Sequence, residues 1–181
     1  MNIYLFNSIN YLAGKNIVLD NIMIFLARYL IWIAPLFLLY LWFRKSADSG
    51  YKKLSLFILV SVLLSLLISW SVSLCYFHPR PFMIGLGTKL ITRSPDSSFP
   101  SDHATIMFAV ALATLFWKRY RMGILFLLLA LAVGLARVFC GIHFPFDLVG
   151  AFLVAGLGTT LVYTIGKYFI GGNKYKNILQ N

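Results

Sequence analysis

The sequence predicts an all-α membrane protein, a bundle of about five transmembrane helices with an interfacial helix at the N-terminus. Of the 181 residues, 60% are hydrophobic and only 12% are charged, whereas a soluble domain is nearer half apolar and a quarter charged. The apolar residues fall in runs long enough to cross a bilayer, and backbone groups in hydrocarbon need the internal hydrogen bonds of a helix. We expect one integral-membrane domain over residues 1–181.

The N-terminal segment 1–14 mixes apolar side chains with asparagines and is too short and polar to span a membrane. We expect an amphipathic helix that lies at the membrane interface. The segment lacks the basic start, continuous apolar core and cleavage site of a signal peptide, so it is predicted to stay on the mature protein.

The predicted spans are four long apolar runs and one shorter run. The long runs are 21–43, 54–77, 122–140 and 146–169, and the short one is 103–117. The remaining tail, residues 171–181, is polar and basic and is predicted to be a flexible cytoplasmic extension.

Basic residues cluster between these runs and set the orientation. The clusters contain Arg44, Lys45, Lys52, Lys53, Lys118, Arg119, Arg121, Lys167, Lys174 and Lys176. With five spans they all share one side, which the positive-inside rule assigns to the cytoplasm. The C-terminus is then inside, and residues 78–102 and 141–145 are outside. These clusters account for most of the net charge of +11, so no nucleic-acid partner is predicted.

The segment leading into the last span carries a histidine and an aspartate. His143 and Asp147 are four residues apart, so they share a face if the helix begins near Phe144. A carboxylate there accepts the proton of one ring nitrogen and leaves the other free to attack phosphorus. Taken alone, the pair fits a hydrogen-bonded histidine and a capping aspartate better than a catalytic pair.

A second histidine stands at the start of the short span, in the sequence Pro100-Ser101-Asp102-His103. A helix N-terminus favours an anion. There the Ser101 hydroxyl holds phosphate oxygens, while His103 protonates the departing oxygen and later deprotonates water. We expect Asp102 to face away from the anion, either capping the helix or pairing with an arginine.

Arginines complete the set of candidate residues. Planar guanidinium groups neutralise phosphate oxygens with paired hydrogen bonds, a role predicted for Arg80 and Arg137. Arg137 lies near the outer end of a span, where a charge is costly and usually functional. Lys89 and Arg93 are accessory candidates for a second phosphate, and His78 is expected to form a hydrogen bond at headgroup level.

Three further residues have weaker predictions. Arg28 is expected either to extend towards the interface or to meet a lipid phosphate. Cys75 and Cys140 are expected to be unpaired buried thiols, because a disulfide requires Cα atoms within about 7 Å.

Together, the motifs resemble the type-2 phosphatidic acid phosphatase superfamily, membrane lipid phosphatases that share their active site with vanadium haloperoxidases. The family pattern is Lys, six residues and Arg-Pro; then Pro-Ser-Gly-His; then Ser-Arg, five residues, His, three residues and Asp. The resemblance covers residues 73–147. This sequence departs from the pattern at Ser73, Asp102 and Ala136, where the family has Lys, Gly and Ser.

Within that superfamily, the stretches 78–82, 96–103 and 141–147 are similar to bacterial undecaprenyl-diphosphate phosphatases. The resemblance implies hydrolysis of a prenyl diphosphate lipid on the outer face of the bacterial inner membrane, a step of cell-wall lipid recycling linked to bacitracin resistance. It implies no metal and no cofactor. By resemblance the site consists of the nucleophile His143, the acid/base His103, the orienting Asp147 and the phosphate-binding Arg80, Ser101 and Arg137.

Two alternatives remain open at this stage. A phosphatase for phosphatidylglycerophosphate or lipid A phosphate would use the same residues. A non-enzymatic transporter component would use intramembrane charges for conduction, although the ionisable residues here cluster at one face. The sequence leaves the oligomeric state open, and the outer loop 82–97 is a candidate lid that orders on substrate binding.

Overall fold

The computed structural model describes residues 1–44 and 50–170. Within these ranges the chain is all-helical, and the predicted membrane bundle is confirmed. The helices are α1 Asn2–Asn10, α2 Ile17–Arg28, α3 Ile33–Phe43, α4 Gly50–Cys75, α5 Asp102–Phe116, α6 Tyr120–Phe139 and α7 Pro145–Ile170. Short 3-10 helices occur at Leu30–Trp32 and Pro81–Ile84. The predicted tail and the basic residues Lys45, Lys174 and Lys176 lie outside the described residues.

The short apolar run forms the central helix of the bundle. Helix α5 has 15 residues and is about 22 Å long at 1.5 Å per residue, whereas four other helical segments reach spanning length. Helix α5 packs against α4, α6 and α7, and most of its residues are buried. Because its neighbours are protein rather than lipid, its length does not have to match the hydrocarbon thickness.

The first predicted span is interrupted, which the hydropathy pattern did not predict. Helix α2 ends at Arg28, and the 3-10 helix Leu30–Trp32 separates it from α3. Helix α2 packs on α6, whereas α3 packs on α4. The break therefore lets two halves of one apolar run contact different helices.

The N-terminal segment forms the predicted helix, and Asn10 ties it to the bundle. The Asn10 amide nitrogen donates to the carbonyl oxygens of Thr88 at 2.9 Å and Phe139 at 2.7 Å. The Asn10 amide oxygen accepts from the Thr88 N–H at 2.7 Å. Phe6 is fully buried and packs edge-to-face on Phe144. Helix α1 thus packs on the outer loop and on the C-terminal end of α6.

The described basic clusters meet at the opposite end of the bundle. The guanidinium carbons of Arg44 and Arg119 lie 4.2 Å and 5.2 Å from the centroid of the Tyr51 ring. Helix α6 begins beside Arg119 at this end. Arg137 is in its last turn and so lies at the other end. The candidate phosphate-binding residues and the basic loops therefore occupy opposite ends, as predicted.

Small residues allow the loop before α5 to approach α7. A Cβ atom on Gly150 would lie 2.2 Å from the Phe99 ring, so any larger residue would force the ring to move. Ala151 and Ala155, on the same helix, are fully buried. Because Phe99 leads directly into Pro100 and Ser101, this contact holds the start of α5 beside the start of α7.

Cys75 and Cys140 are both free, as expected. Cys140 is buried, but Cys75 is exposed, so the prediction of burial was wrong for Cys75. That cysteine is the last residue of α4 and has left the packed part of the bundle.

Candidate active site

His143 lies in a tight turn between α6 and α7. Gly141 begins the turn with a φ of 74°, and a Cβ atom there would lie 2.4 Å from the Thr88 carbonyl oxygen. Helix α7 then begins at Pro145, which suits a first helical position. The Phe144 N–H donates to Asp147 Oδ2 at 2.8 Å, so Asp147 caps the helix from its third residue. The Asp147 carboxylate therefore caps the helix and contacts His143 at the same time.

The Nδ1 atom of His143 faces hydrogen-bond acceptors. It lies 2.9 Å from the Ser98 carbonyl oxygen and 3.2 Å from Asp147 Oδ2, so the predicted pairing is confirmed. The Ser98 hydroxyl also donates to Asp147 Oδ2. Because a carbonyl oxygen only accepts, the network assigns the ring proton to Nδ1.

The Nε2 atom of His143 faces donors. Arg80 Nη1 and Arg137 Nη2 each lie 3.1 Å from it. Guanidinium groups only donate, so Nε2 carries the lone pair. The ring is 1% exposed. A ring nitrogen with a free lone pair is therefore held between two cations that are suited to the oxygens of a phosphoryl group.

Burial keeps this histidine neutral. The pKa of His143 is held well below its usual value, first by burial and then by the charges of Arg137 and Arg80, while the hydrogen bond to Ser98 opposes the shift. A neutral imidazole retains the lone pair that nucleophilic attack requires.

Arg80 is fixed by acceptors on three sides. Its Nε donates to Asp96 Oδ1 at 2.7 Å, Nη1 to the Ile142 carbonyl at 2.7 Å, and Nη2 to the Ser97 carbonyl at 3.0 Å. Asp96 also accepts from Arg93 at 3.1 Å. Burial lowers the pKa of Arg80, and Asp96 opposes that shift. The side chain is 3% exposed, so its direction is fixed.

Neither Asp96 nor Ser98 was predicted to be part of the site. A buried arginine requires acceptors, and this chain has only five acidic residues, so Asp96 in the loop beside Arg80 was a detectable signal. Ser98 gave no such signal, because its main contribution is a backbone carbonyl.

Polar atoms at the site are left without protein partners. Arg137 donates from Nη1 to the Ala27 carbonyl at 3.2 Å, but its buried Nε has no hydrogen-bond partner among the described residues. The Ser101 hydroxyl is likewise buried and unpaired there. Buried polar groups are nearly always hydrogen-bonded, and a phosphate would supply acceptors to both.

A cavity of about 380 Å³ adjoins Arg137 and contains the second histidine. It is lined by Ala27, Arg28, Ile91, Thr92, Arg93, His103, Arg137 and Ile142. Of the two accessory cations, the structure brings Arg93 to this cavity. Lys89 instead lies 3.7 Å from the centroid of the Phe82 ring and donates to the Arg93 carbonyl at 3.3 Å.

Two of the three positions that depart from the family pattern, Asp102 and Ser73, form hydrogen bonds that join α4 to the start of α5 and the loop before it. Asp102 Oδ1 accepts from the Ser69 hydroxyl at 2.8 Å, and Asp102 lines a cavity that Arg80 also lines, so its predicted orientation away from the anion stays a prediction. Asp102 neither caps the helix nor pairs with an arginine, because α4 offers the nearer donor. The Ser73 hydroxyl donates to the Phe99 carbonyl at 3.0 Å, which attaches α4 to the loop before α5.

His78 packs beside Asp147, and its expected hydrogen bond at headgroup level stays a prediction. Its Nδ1 lies 3.7 Å from Asp147 Oδ1, beyond hydrogen-bond distance. The ring stacks on Tyr76 and meets Phe144 edge-on. Partial burial lowers the pKa of His78.

Comparison with known proteins identifies the family. The model of the PAP2 superfamily matches residues 54–170, more than half of the chain. The chain belongs to the PAP2 superfamily. It is therefore a membrane lipid phosphatase, and the resemblance predicted from the motifs is confirmed.

Several PAP2-related proteins match most of the chain. Undecaprenyl-diphosphatase BcrC of Bacillus subtilis is 36% identical over 155 residues, which cover 86% of this chain and 79% of BcrC. YbjG of Escherichia coli, provisionally named an undecaprenyl-diphosphatase, is 34% identical over 158 residues, which cover 87% of this chain and 79% of YbjG. The crystal structure of a PAP2-type phosphatidylglycerolphosphate phosphatase from Bacillus subtilis matches with a TM-score of 0.69 and 21% identity, covering 93% of this chain and 85% of that one. The last match establishes a shared fold.

Proposed function

We propose that this PAP2 protein hydrolyses undecaprenyl diphosphate to undecaprenyl phosphate and phosphate through a phosphohistidine intermediate. The observation that carries the proposal is the polarity of the His143 ring, with its proton on Nδ1 and its lone pair on Nε2 between Arg80 and Arg137. The names of the two relatives support the choice of substrate.

In the first step His143 Nε2 attacks the terminal phosphorus. A bond forms between nitrogen and phosphorus, and the bond from phosphorus to the bridging oxygen breaks. Arg80 and Arg137 neutralise the equatorial oxygens, as phosphoryl transfer requires. The positive charge that develops on the imidazole is stabilised by Asp147 through Nδ1. His103 protonates the departing oxygen of undecaprenyl phosphate.

In the second step water hydrolyses the phosphohistidine. His103, now deprotonated, accepts a proton from the water as its oxygen attacks phosphorus. The bond from phosphorus to Nε2 breaks, phosphate leaves, and His143 returns to its neutral state. The Ser101 hydroxyl and the Nε of Arg137, both buried and unpaired in the described residues, supply further donors to the phosphoryl oxygens.

We further propose that the site faces the outside of the bacterial inner membrane and that the C-terminus is cytoplasmic. The support is the separation of charges along the bundle. Arg44 and Arg119 share Tyr51 at one end, and Arg80 contacts His143 at the other. Short basic loops stay in the cytoplasm, which assigns the Arg80 end to the outside.

The test is phosphate release by detergent-purified protein from undecaprenyl diphosphate, with excess chelator and the His143→Ala variant in parallel. We expect release by the wild type under chelation and a loss of at least about 10³-fold in the variant. Near-wild-type release by a folded His143→Ala variant would exclude the phosphohistidine mechanism. Competition with phosphatidylglycerophosphate and lipid A phosphate ranks the substrates, and preference for either one would replace the proposed substrate.

A further inference from the structure

Two cavities meet at Arg28 and His103, next to the proposed site of reaction. The cavity of about 380 Å³ contains Arg93 and Arg137. The second, about 360 Å³, is lined by Arg28, Ile31, Trp32, Pro35, His103 and Ile106. Only Arg28 and His103 belong to both. A cationic cavity therefore continues into an apolar groove.

The groove exists because the first span is broken. Leu30–Trp32 is a 3-10 helix between α2 and α3, and the groove residues Ile31, Trp32 and Pro35 come from this break and the first turn of α3. Ile106 of α5 forms the opposite wall. Trp32 is 64% exposed and belongs to a helical segment that is long and apolar enough to cross a membrane. A groove with apolar walls that opens towards lipid suits a hydrocarbon chain.

Arg28 is the cation at the junction. It is exposed, and it has no hydrogen bond or ion pair with any part of the chain that the structure describes. Arg80, by contrast, is already bonded to Asp96, and Arg93 shares the same carboxylate. Arg28 can therefore bind an anion without giving up a protein partner.

We propose that Arg28 binds the phosphate that remains on the lipid, and that the groove beside it holds the first prenyl units of the tail. This assignment rests on the proposed function. The terminal phosphate lies between Arg80 and Arg137, the second phosphate extends into the cavity at Arg28, and the tail leaves along Trp32 and Ile106. Arg28 then distinguishes a diphosphate from a monophosphate, because only the diphosphate reaches both groups of cations.

Inhibitors separate the two phosphate positions. Vanadate mimics a single phosphate, so it probes only the position between Arg80 and Arg137. Inorganic pyrophosphate has two phosphate groups, so it also probes the second position, at Arg28. The experiment measures hydrolysis of undecaprenyl diphosphate and its inhibition by both anions, using the wild type, Arg28→Gln, Arg28→Lys and Lys15→Gln. Lys15 is an exposed cation just before α2, stacked on Tyr11 and outside both cavities, so Lys15→Gln controls for the loss of one surface charge.

We expect Arg28→Gln to raise KM and to weaken pyrophosphate inhibition by about tenfold, with vanadate inhibition changed by less than about twofold. Arg28→Lys keeps the charge and should stay within about threefold of the wild type. Lys15→Gln should match the wild type.

Two results would overturn the assignment. In the first, Arg28→Gln changes pyrophosphate inhibition no more than Lys15→Gln does. In the second, Arg28→Gln weakens inhibition by pyrophosphate and by vanadate equally. If Arg28→Gln does not fold, Arg28→Lys carries the test, and a tenfold loss of both inhibitions there would also reject the assignment. Absence of turnover by the folded wild type would instead reject the proposed function, so the two failures are distinguishable.

Discussion

The Nδ1 atom of His78 and the Oδ1 atom of Asp147 face each other across 3.7 Å, and both are buried without a hydrogen-bond partner among the described residues. A shift of less than about 1 Å would close this gap to hydrogen-bond distance. Asp147 uses its other oxygen to accept from Ser98, Phe144 and His143. His78 is therefore placed to support the carboxylate that contacts Nδ1 of His143, the nucleophile that we propose.

We predict that His78→Phe lowers kcat by about threefold to tenfold with little change in KM. Phenylalanine keeps the packing on Tyr76 and Phe144 but cannot form the hydrogen bond to Asp147 that a closer approach during turnover would create, worth about 1 kcal/mol. Steady-state kinetics on undecaprenyl diphosphate would test this. An unchanged kcat would mean that His78 only packs.

Asp147→Asn should lower kcat by about 10³-fold to 10⁴-fold, because an amide no longer enforces the proton on Nδ1 of His143. Asp102→Asn is the matched control, since that carboxylate bonds Ser69, and it should stay within about threefold of the wild type. A small effect of Asp147→Asn would show that the Ser98 carbonyl alone sets the tautomer.

Ser98→Ala should reduce kcat by about tenfold to 100-fold, less than Asp147→Asn. The variant loses the hydroxyl that donates to Asp147 but keeps the backbone carbonyl 2.9 Å from His143 Nδ1. A hydrogen bond to a charged group contributes about 1.5–3 kcal/mol. Ser97→Ala is the control, and equal losses in the two variants would argue against a specific role for Ser98.

Arg80→Lys should lower kcat/KM by about 10²-fold to 10³-fold although the charge is retained. A lysine cannot reproduce the separate hydrogen bonds to Asp96, Ile142 and Ser97, and it offers no fork to a phosphate. Arg93→Lys, at a partly exposed arginine, should cost less than about threefold. Comparable activity of the two variants would contradict this account of Arg80.

The depressed pKa of His143 predicts loss of stability in acid. Below about pH 6.5 the unfolded chain binds a proton at His143. The folded chain binds that proton only when the pH falls to the lower pKa that His143 has in the folded state. Unfolding is therefore favoured as the pH falls. We expect the melting temperature of the wild type to drop more between pH 7 and pH 5 than that of His143→Gln.

The same shift is measurable directly. The chain has three histidines, so ¹⁵N-histidine spectra resolve each ring, and His143→Gln identifies its signal. The neutral form with the proton on Nδ1 should persist below pH 6.5. Titration at or above that value would contradict the structural explanation.

The sequence by itself determined the helices and the pairs that lie within one helical turn. Hydropathy located α4 through α7 to within a few residues, and the spacing of His143 and Asp147 predicted their contact, because residues four apart share a helical face. Charge distribution predicted that the basic loops and the motif residues occupy opposite ends. These features depend on local geometry, which the side-chain pattern encodes.

Only the tertiary structure decided how the site is assembled. Arg80 and Arg137 are held by the carbonyls of Ile142, Ser97 and Ala27, and His143 by that of Ser98. Every residue has a backbone carbonyl, so no residue type marks these acceptors in advance. The break between α2 and α3 brings Arg28 to His103. Pro35 disfavours a continuous helix there, but only the packed bundle shows that α2 then contacts α6 whereas α3 contacts α4.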